Sequence, residues 1–274
     1  MAGTGETDGR RPVVLITGAT SGLGRYLADE LAGSGWQVLG HGRDRRRVAD
    51  LCTELGHDAR GFVADLASLG DVRDLAAAVR AQVPRLDVLV NNAAVGFGAP
   101  GAGRQVSADG HELRFAVNYL APVLLTRLLV PLVTAAAPSR IVNVGSIGQV
   151  AFDPADAQFG HGYDGVDAYR RSKLALAAFT FDLADELASA AVTVNCLHPA
   201  SLMGTAMVRQ AGITPISTVE EGVEATLRLI TDPALDGVTG QFFDGLKAAR
   251  ARPEAYDPQF RASLREVTDR MLGA

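Results

Sequence analysis

Tyr169 and Lys173 stand four residues apart in the run Tyr169-Arg170-Arg171-Ser172-Lys173. On a helix that spacing puts them on one face, one turn from each other. A phenol ionises near pH ~10 and is a poor proton donor at neutrality, but an ammonium one turn away favours the phenolate and draws that pKa down. A donor tuned in this way is what protonation of a carbonyl oxygen requires. The chain holds 26 lysines and arginines, and Lys173 and Lys247 alone among them are lysines. A compact, titratable ammonium therefore occupies a place where arginine could not substitute. The same spacing also suits a solvated helix face, so the rest of the chain has to decide between the two.

The elements that would position this pair begin with Val13-Val14-Leu15-Ile16-Thr17, a β-branched run with the pattern of a strand buried on both faces. Thr17-Gly18-Ala19-Thr20-Ser21-Gly22-Leu23-Gly24 follows, and a helix is expected from about Leu23 to Ala32. Glycines between a first strand and a first helix allow a tight turn and let the backbone approach a pyrophosphate, which the helix N-terminus then attracts. Gly18, Thr20, Ser21, Gly22, Leu23 and Gly24 are accordingly candidate dinucleotide-binding residues. The second strand ends in Gly40-His41-Gly42-Arg43-Asp44. An NAD site places an acid there for the ribose hydroxyls, whereas an arginine suits the 2′-phosphate of NADP. Arg43 thus favours NADP(H), and NAD(H) stays open because a one-residue shift would make Asp44 the ribose ligand; otherwise Asp44 caps the helix that begins at Arg45. Arg45 to Arg47 read as a solvated face. Asp65 and the adjoining Leu66 follow the third strand, where the adenine would lie, although Asp65 could equally cap a turn. Asn91-Asn92-Ala93-Ala94 closes the fourth strand, and Asn91 and Ala93 are expected at the cofactor floor.

Strands are expected at 37–40, 59–63, 86–90, 140–144, 193–197 and 240–243, with helices from about Arg45 and from Asp71 to Arg80. Strand and helix alternate throughout, which calls for right-handed crossovers and a parallel sheet covered on both faces. The expected fold class is α/β: one doubly wound Rossmann domain over residues 12–250 with about seven parallel strands. Residues 1–11 read as a disordered tail, and 251–274 as a helical extension with Phe260, Leu264, Val267 and Met271 at helical spacing. A length of 274 residues suffices for a substantial core, and 47% hydrophobic with 21% charged residues is ordinary for a globular enzyme. The net charge of -5 excludes a nucleic-acid surface. No apolar run reaches the roughly 18 residues of a membrane span, and the N-terminus lacks a signal peptide's apolar region, so a cytoplasmic location is expected. Cys52 and Cys196 have neither metal-ligand nor disulfide spacing and read as packing residues.

With these pieces placed, the sequence resembles the short-chain dehydrogenase/reductase family over roughly residues 12 to 250. T-G-x-x-x-G-x-G, N-N-A, a serine after the fifth strand and Y-x-x-x-K occur in the family's order. The resemblance implies a catalytic tetrad of Asn118, Ser146, Tyr169 and Lys173. Ser146 would hold the substrate carbonyl oxygen, Tyr169 would protonate it, and Lys173 would tune Tyr169 and bond the nicotinamide ribose. Asn118 also has a local signal: Pro122 has no N–H, so the Asn118 carbonyl loses its helical partner, and a bend and a held water are expected there. Pro199 and Thr205 correspond to the family's carboxamide-binding segment, although Ala200 replaces its glycine, Thr205 falls one residue late, and Ala94 replaces the glycine of N-N-A-G. His198 reads as a backbone-positioning residue. The insertion from Ile147 to Ala168 is similar to that of the retinol-dehydrogenase-like branch and would wall the substrate pocket, with Asp153 and His161 as candidate contacts.

Leu202, Met203, Met207, Val208 and Ile213 suggest a mobile apolar lid, hence a small hydrophobic carbonyl compound or alcohol as substrate. The apolar helices around 113–135 and 169–188 are the family's usual dimer surface, which implies a homodimer or homotetramer. A dehydratase or epimerase acting on an activated sugar is the enzyme alternative; the glycine spacing and the small C-terminal part speak against it. A non-catalytic NADP(H)-binding regulator is the other, and the complete serine, tyrosine, lysine and asparagine set speaks against that.

Overall fold

Period-two burial in the first strand explains the layering. In β1 (Val13–Ile16), Val13 and Leu15 enter one apolar core while Val14 and Ile16 enter a second on the opposite face. The computed structural model describes residues 10–56, 58–99 and 101–273. Its sheet adds β2 (Gln37–Gly42), β3 (Arg60–Val63), β4 (Val88–Asn91), β5 (Ser139–Val144), β6 (Val192–His198), β7 (Phe242–Asp244) and β8 (Lys247–Ala249) in the order β3-β2-β1-β4-β5-β6-β7-β8. The first seven pair in parallel, and β8 returns antiparallel to β7. The strand order reverses between β1 and β4, and the carboxyl ends there form the crevice in which open α/β sheets bind ligands. β8 is the strand beyond the expected seven; three residues, Lys-Ala-Ala, carry too little pattern to reveal it.

α1 (Gly22–Gly33), α2 (Arg45–Leu55) and α8 (Val219–Thr231) cover one face, and α3 (Leu69–Gln82), α5 (Ala121–Ala135) and α6 (Gly165–Glu186) the other. A short α4 (Leu113–Phe115) enters α5 through a π-helical turn, Ala116–Leu120, in which the Ala121 N–H donates to the Ala116 carbonyl. Pro122 cannot donate to Asn118, and the ladder widens here instead of simply bending. The continuous stretch Leu113–Ala135 does have the length and apolar composition of a membrane span, contrary to the sequence expectation, but it is mostly buried within the domain.

The C-terminal helix α9 (Pro258–Leu272) belongs to the same core: Phe260, Leu264, Val267 and Leu272 are buried in it. It lies against the two helical stretches that the resemblance offered as a dimer surface. Tyr119 and Thr268 share a 2.7 Å hydrogen bond, Arg127 pairs with Asp269 at 2.7 Å, and Arg261 with Asp182 at 2.5 Å and Asp185 at 2.6 Å. Of the tail expected over 1–11, residues 1–9 lie outside the described residues. Arg11 is anchored, not disordered, and donates to the carbonyls of Gly35 at 2.6 Å and Trp36 at 3.0 Å.

Candidate active site

The glycine turn is built by backbone proximity. Gly18 and Gly22 have φ of 69° and 52°, and a Cβ on Gly24 would lie 2.4 Å from the Gly18 carbonyl oxygen and 2.5 Å from Asn92 Nδ2. Thr17 Oγ1 accepts from the amides of Asn92 at 2.9 Å and Ala93 at 3.0 Å, and Asn92 Nδ2 donates to the Thr17 carbonyl at 2.8 Å. Below the turn lies buried His41, whose Nδ1 accepts from the Gly18 amide at 3.3 Å while Nε2 meets the Ala64 carbonyl at 3.1 Å. Accepting from Gly18 requires an unprotonated Nδ1, and burial holds the His41 pKa below its ordinary value. Ser21 makes no side-chain bond to the start of α1, whereas Asp44, Ser68, Asp164, Thr218 and Asp257 cap α2, α3, α6, α8 and α9. The amides of α1 are thus left for a ligand. Arg43 is exposed at the end of β2 and has no hydrogen bond or ion pair among the described residues, while Asp44 accepts from the Arg47 amide at 3.0 Å, which holds its carboxyl below the usual range. Asp44 is therefore the helix cap. A glycine cradle and uncapped helix amides fit the pyrophosphate of an NAD(P) dinucleotide.

The four residues of the expected tetrad gather at the carboxyl edge of β4–β6, beside this cradle. Ser146 follows β5 through Gly145, where a Cβ would come within 2.5 Å of Cys196 Sγ. Ser146 Oγ accepts from the Gly148 amide at 3.0 Å and stands close enough to the Tyr169 hydroxyl to favour its phenolate. Tyr169 and Lys173 lie on α6 as the spacing predicts, and Lys173 Nζ sits 5.6 Å from the centroid of the phenol ring. The ionisation expectation needs correction. Burial pushes Tyr169 up to about 12, against the smaller opposing influence of Ser146, and pushes Lys173 down to about 8. Desolvation disfavours both charged forms, and Lys173 donates its hydrogen bond at 2.8 Å to the Val144 carbonyl. Tyr169 therefore holds its proton firmly at neutral pH. The Asn118 side chain is a brace: Oδ1 accepts from the Val95 amide at 2.7 Å, and Nδ2 donates to the Val95 carbonyl at 3.0 Å and to Ser172 Oγ at 3.1 Å. Cys196, behind Lys173, is buried and pushed up to about 12, which keeps it a thiol.

The other expected residues divide between the site and the surrounding structure. Asn91 is buried and bridges to the neighbouring strand, donating to Thr126 at 2.9 Å and to Asn143 of β5 at 2.8 Å, while the side-chain amide that reaches the glycine turn belongs to Asn92. Asp65 is exposed and accepts from the Ala67 amide at 3.0 Å, the turn-capping alternative, and the Leu66 side chain is buried in the core, which leaves its backbone for a ligand. Pro199 is buried at the exit of β6, and Thr205 comes back to the cradle: a Cβ on Gly22 would lie 3.4 Å from Thr205 Cγ2. His198 is buried and bonds Ser201 at 3.0 Å, a positioning role. Val208 of α7 (Ala206–Gln210) is buried, and Met207 packs on Gly96. Asp153 caps a 3-10 turn by accepting from the Ala155 amide at 2.9 Å, and His161 is exposed. Sequence reasoning missed Gln149, which donates to the Ser146 carbonyl at 2.7 Å and accepts from the Arg252 amide at 2.9 Å; a lone glutamine carries no motif.

A dinucleotide cradle beside a Ser-Tyr-Lys-Asn cluster, on a doubly wound sheet, defines an NAD(P)-dependent oxidoreductase. Residues 12–214 match the short chain dehydrogenase family, and the chain belongs to it. It is 35% identical to human retinol dehydrogenase 14 over 95% of this chain and 86% of that protein. Two solved structures are similar, each at 27% identity over 85% of this chain. One is the 3-ketoacyl-(acyl-carrier-protein) reductase of Brucella melitensis complexed with NADH, with a TM-score of 0.69 and 96% of that chain covered. The other is the RhlG/NADP active-site complex of Pseudomonas aeruginosa, with a TM-score of 0.70 and 94% covered.

Proposed function

We propose that this enzyme uses NADP(H) to interconvert an apolar ketone or aldehyde and its alcohol. The observation that carries the reading is the placement of Ser146, at the end of β5, beside the buried Tyr169, with Lys173 one turn along α6 and its Nζ 5.6 Å from the centre of the phenol ring. A carbonyl oxygen seated between the two hydroxyls would be held by Ser146 and protonated by Tyr169. The ammonium of Lys173 offsets charge that develops on the phenol oxygen as the proton leaves. Asn118 keeps the start of α5, the loop after β4 and Ser172 in fixed relation, so the proton donor does not drift. A nicotinamide bound along the glycine turn would supply or accept the hydride. Unpaired Arg43 supports NADP(H) over NAD(H). The apolar lid residues and the similarity to a retinol dehydrogenase support an apolar substrate. A homo-oligomer would have to use a face other than the one α9 covers, or displace that helix.

The test is NADPH oxidation by purified protein with a panel of apolar aldehydes and ketones, with NADH and Tyr169→Phe run in parallel. Carbonyl-dependent oxidation that the variant loses is expected. A Tyr169→Phe enzyme with full activity would sink the proton-donor role, and tighter use of NADH than NADPH would sink the cofactor assignment.

A further inference from the structure

Arg114 is the largest fully buried side chain of the described residues, and every nitrogen of its guanidinium is used. Nε donates to the Gly96 carbonyl at 2.9 Å and Nη2 to the Phe97 carbonyl at 2.8 Å. Nη1 donates to the Tyr163 hydroxyl at 2.5 Å and lies 3.4 Å from Glu112 Oε1. Tyr163 in turn donates to Glu112 Oε1 at 2.9 Å, and Glu112 Oε2 accepts from the Phe115 amide at 2.7 Å. Three segments far apart in sequence meet here: the loop after β4, the start of α4 and the insertion before α6. The backbone is shaped to allow it. Gly98 has φ of 84°, with room for no Cβ, which would lie 2.5 Å from Arg114 Nη2, and a Cβ on Gly165 would lie 2.4 Å from the Phe97 carbonyl oxygen.

The side chain that this cluster sets in place is Phe97. Its ring meets Tyr169 edge-on, with centroids 4.7 Å apart and planes at 74°. It also lines a cavity of about 400 Å³ with Ala102, Val166 and Ile213 and with the polar side chains of Arg104, Asp164 and Tyr163. Phe97 therefore forms the boundary between that cavity and the proton donor. A buried ion pair is often no more stabilising than apolar residues of the same volume, so stability alone does not account for Glu112 and Arg114. A rigid fork that grips two successive carbonyls does account for them, because it fixes the backbone from which Phe97 projects.

We propose that Phe97 determines which substrate shapes reach Tyr169, and that Arg114, with Glu112 and Tyr163, is the positioning residue that sets Phe97. This rests on the oxidoreductase reading above. The test compares kcat/KM for hexanal and for cyclohexanecarboxaldehyde, with NADPH, in wild type, Phe97→Ala, Tyr163→Phe and Arg114→Lys. Phe97→Ala is expected to shift the ratio at least tenfold toward the cyclic aldehyde. Tyr163→Phe, which removes one hydroxyl and leaves the ion pair, is expected to shift it about threefold the same way, with NADPH affinity unchanged. Arg114→Lys keeps the charge, loses the fork, and should follow. Equal losses for both aldehydes in Phe97→Ala and Tyr163→Phe would overturn the proposal and leave a merely structural cluster. Turnover of neither aldehyde by wild type would count against the functional reading instead. The dissociation constants of the two aldehydes, measured by calorimetry on the same folded variants, would then decide this one by the same ratio.

Discussion

Gly24 and Arg114 each hold one part of the site rigid, by opposite devices. At Gly24 the absence of a side chain lets α1 close onto the Gly18 carbonyl, and the turn is fixed by backbone against backbone. At Arg114 the longest of side chains is buried whole and fixes a loop by reaching the Gly96 and Phe97 carbonyls. Backbone contact has no adjustable part, which suits a ligand that does not vary. A side-chain network can be retuned one residue at a time without disturbing the sheet, which suits the side that meets the substrate. Tyr169 lies where the two meet.

The largest effect should come from the meeting point. Tyr169→Phe is expected to lower kcat about 10³-fold while NADPH affinity, followed by fluorescence titration, stays within twofold; a large loss of affinity would show that the two sides are not separable. Gly24→Val comes next. Overpacking of about 1–3 kcal/mol should appear in denaturant unfolding, and affinity for NADPH and NADH should fall together, since the turn is common to both. Arg43→Ala is more selective: loss of a charge-assisted contact of about 1.5–3 kcal/mol should weaken NADPH roughly tenfold or more and leave NADH unchanged. Equal weakening of both cofactors would remove Arg43 from the 2′-phosphate.

The smallest effect is one of pH. Lys173, held at about 8 when folded, titrates near 10.5 when unfolded. Between those values the unfolded chain binds the extra proton, so this group makes stability rise with pH. Wild type should gain melting temperature relative to Lys173→Met between pH 7.5 and 9, and a constant difference would contradict the burial of the ammonium. Tyr169 and Cys196 act in the opposite sense, because their folded values are raised, Cys196 as pH passes its unfolded value of 9.0 and Tyr169 as it passes 10.0, and both are common to wild type and variant. The comparison is made below the first of these values.

The cofactor side was legible because its constraints are local. The strand, Gly18, Gly22 and Gly24 lie within twelve residues and leave a spacing behind. Tyr169 and Lys173 were legible for the same reason, as one helical turn. What they do to each other was not, because the spacing predicts attraction between charge and phenol while burial, a property of the whole fold, moves both pKa values the other way. Asn91 and Asn92 divide the work of their amides in a way the spacing does not show: neighbouring residues point to opposite faces, so Asn91 ties β4 to β5 and Asn92 reaches the glycine turn. Arg114 and Glu112 left no mark in the sequence, and Tyr163 was legible only as part of the insertion expected to wall the pocket. Their partners lie 18 residues upstream and 49 downstream of Arg114, and a buried arginine looks like any other until the chain is folded.

α9 can be viewed as a partner that never leaves. A helix tethered to the surface it covers competes at an effective concentration of the order of millimolar, far above the micromolar concentration at which a second copy of the chain would arrive. The bonds from Arg261 to Asp182 and Asp185 and from Tyr119 to Thr268 would have to be given up before two molecules could meet across α5 and α6. Cutting the chain before Pro258 would then trade an intramolecular contact for a concentration-dependent one. The aggregation state of such a fragment would report how strongly the helix holds its place.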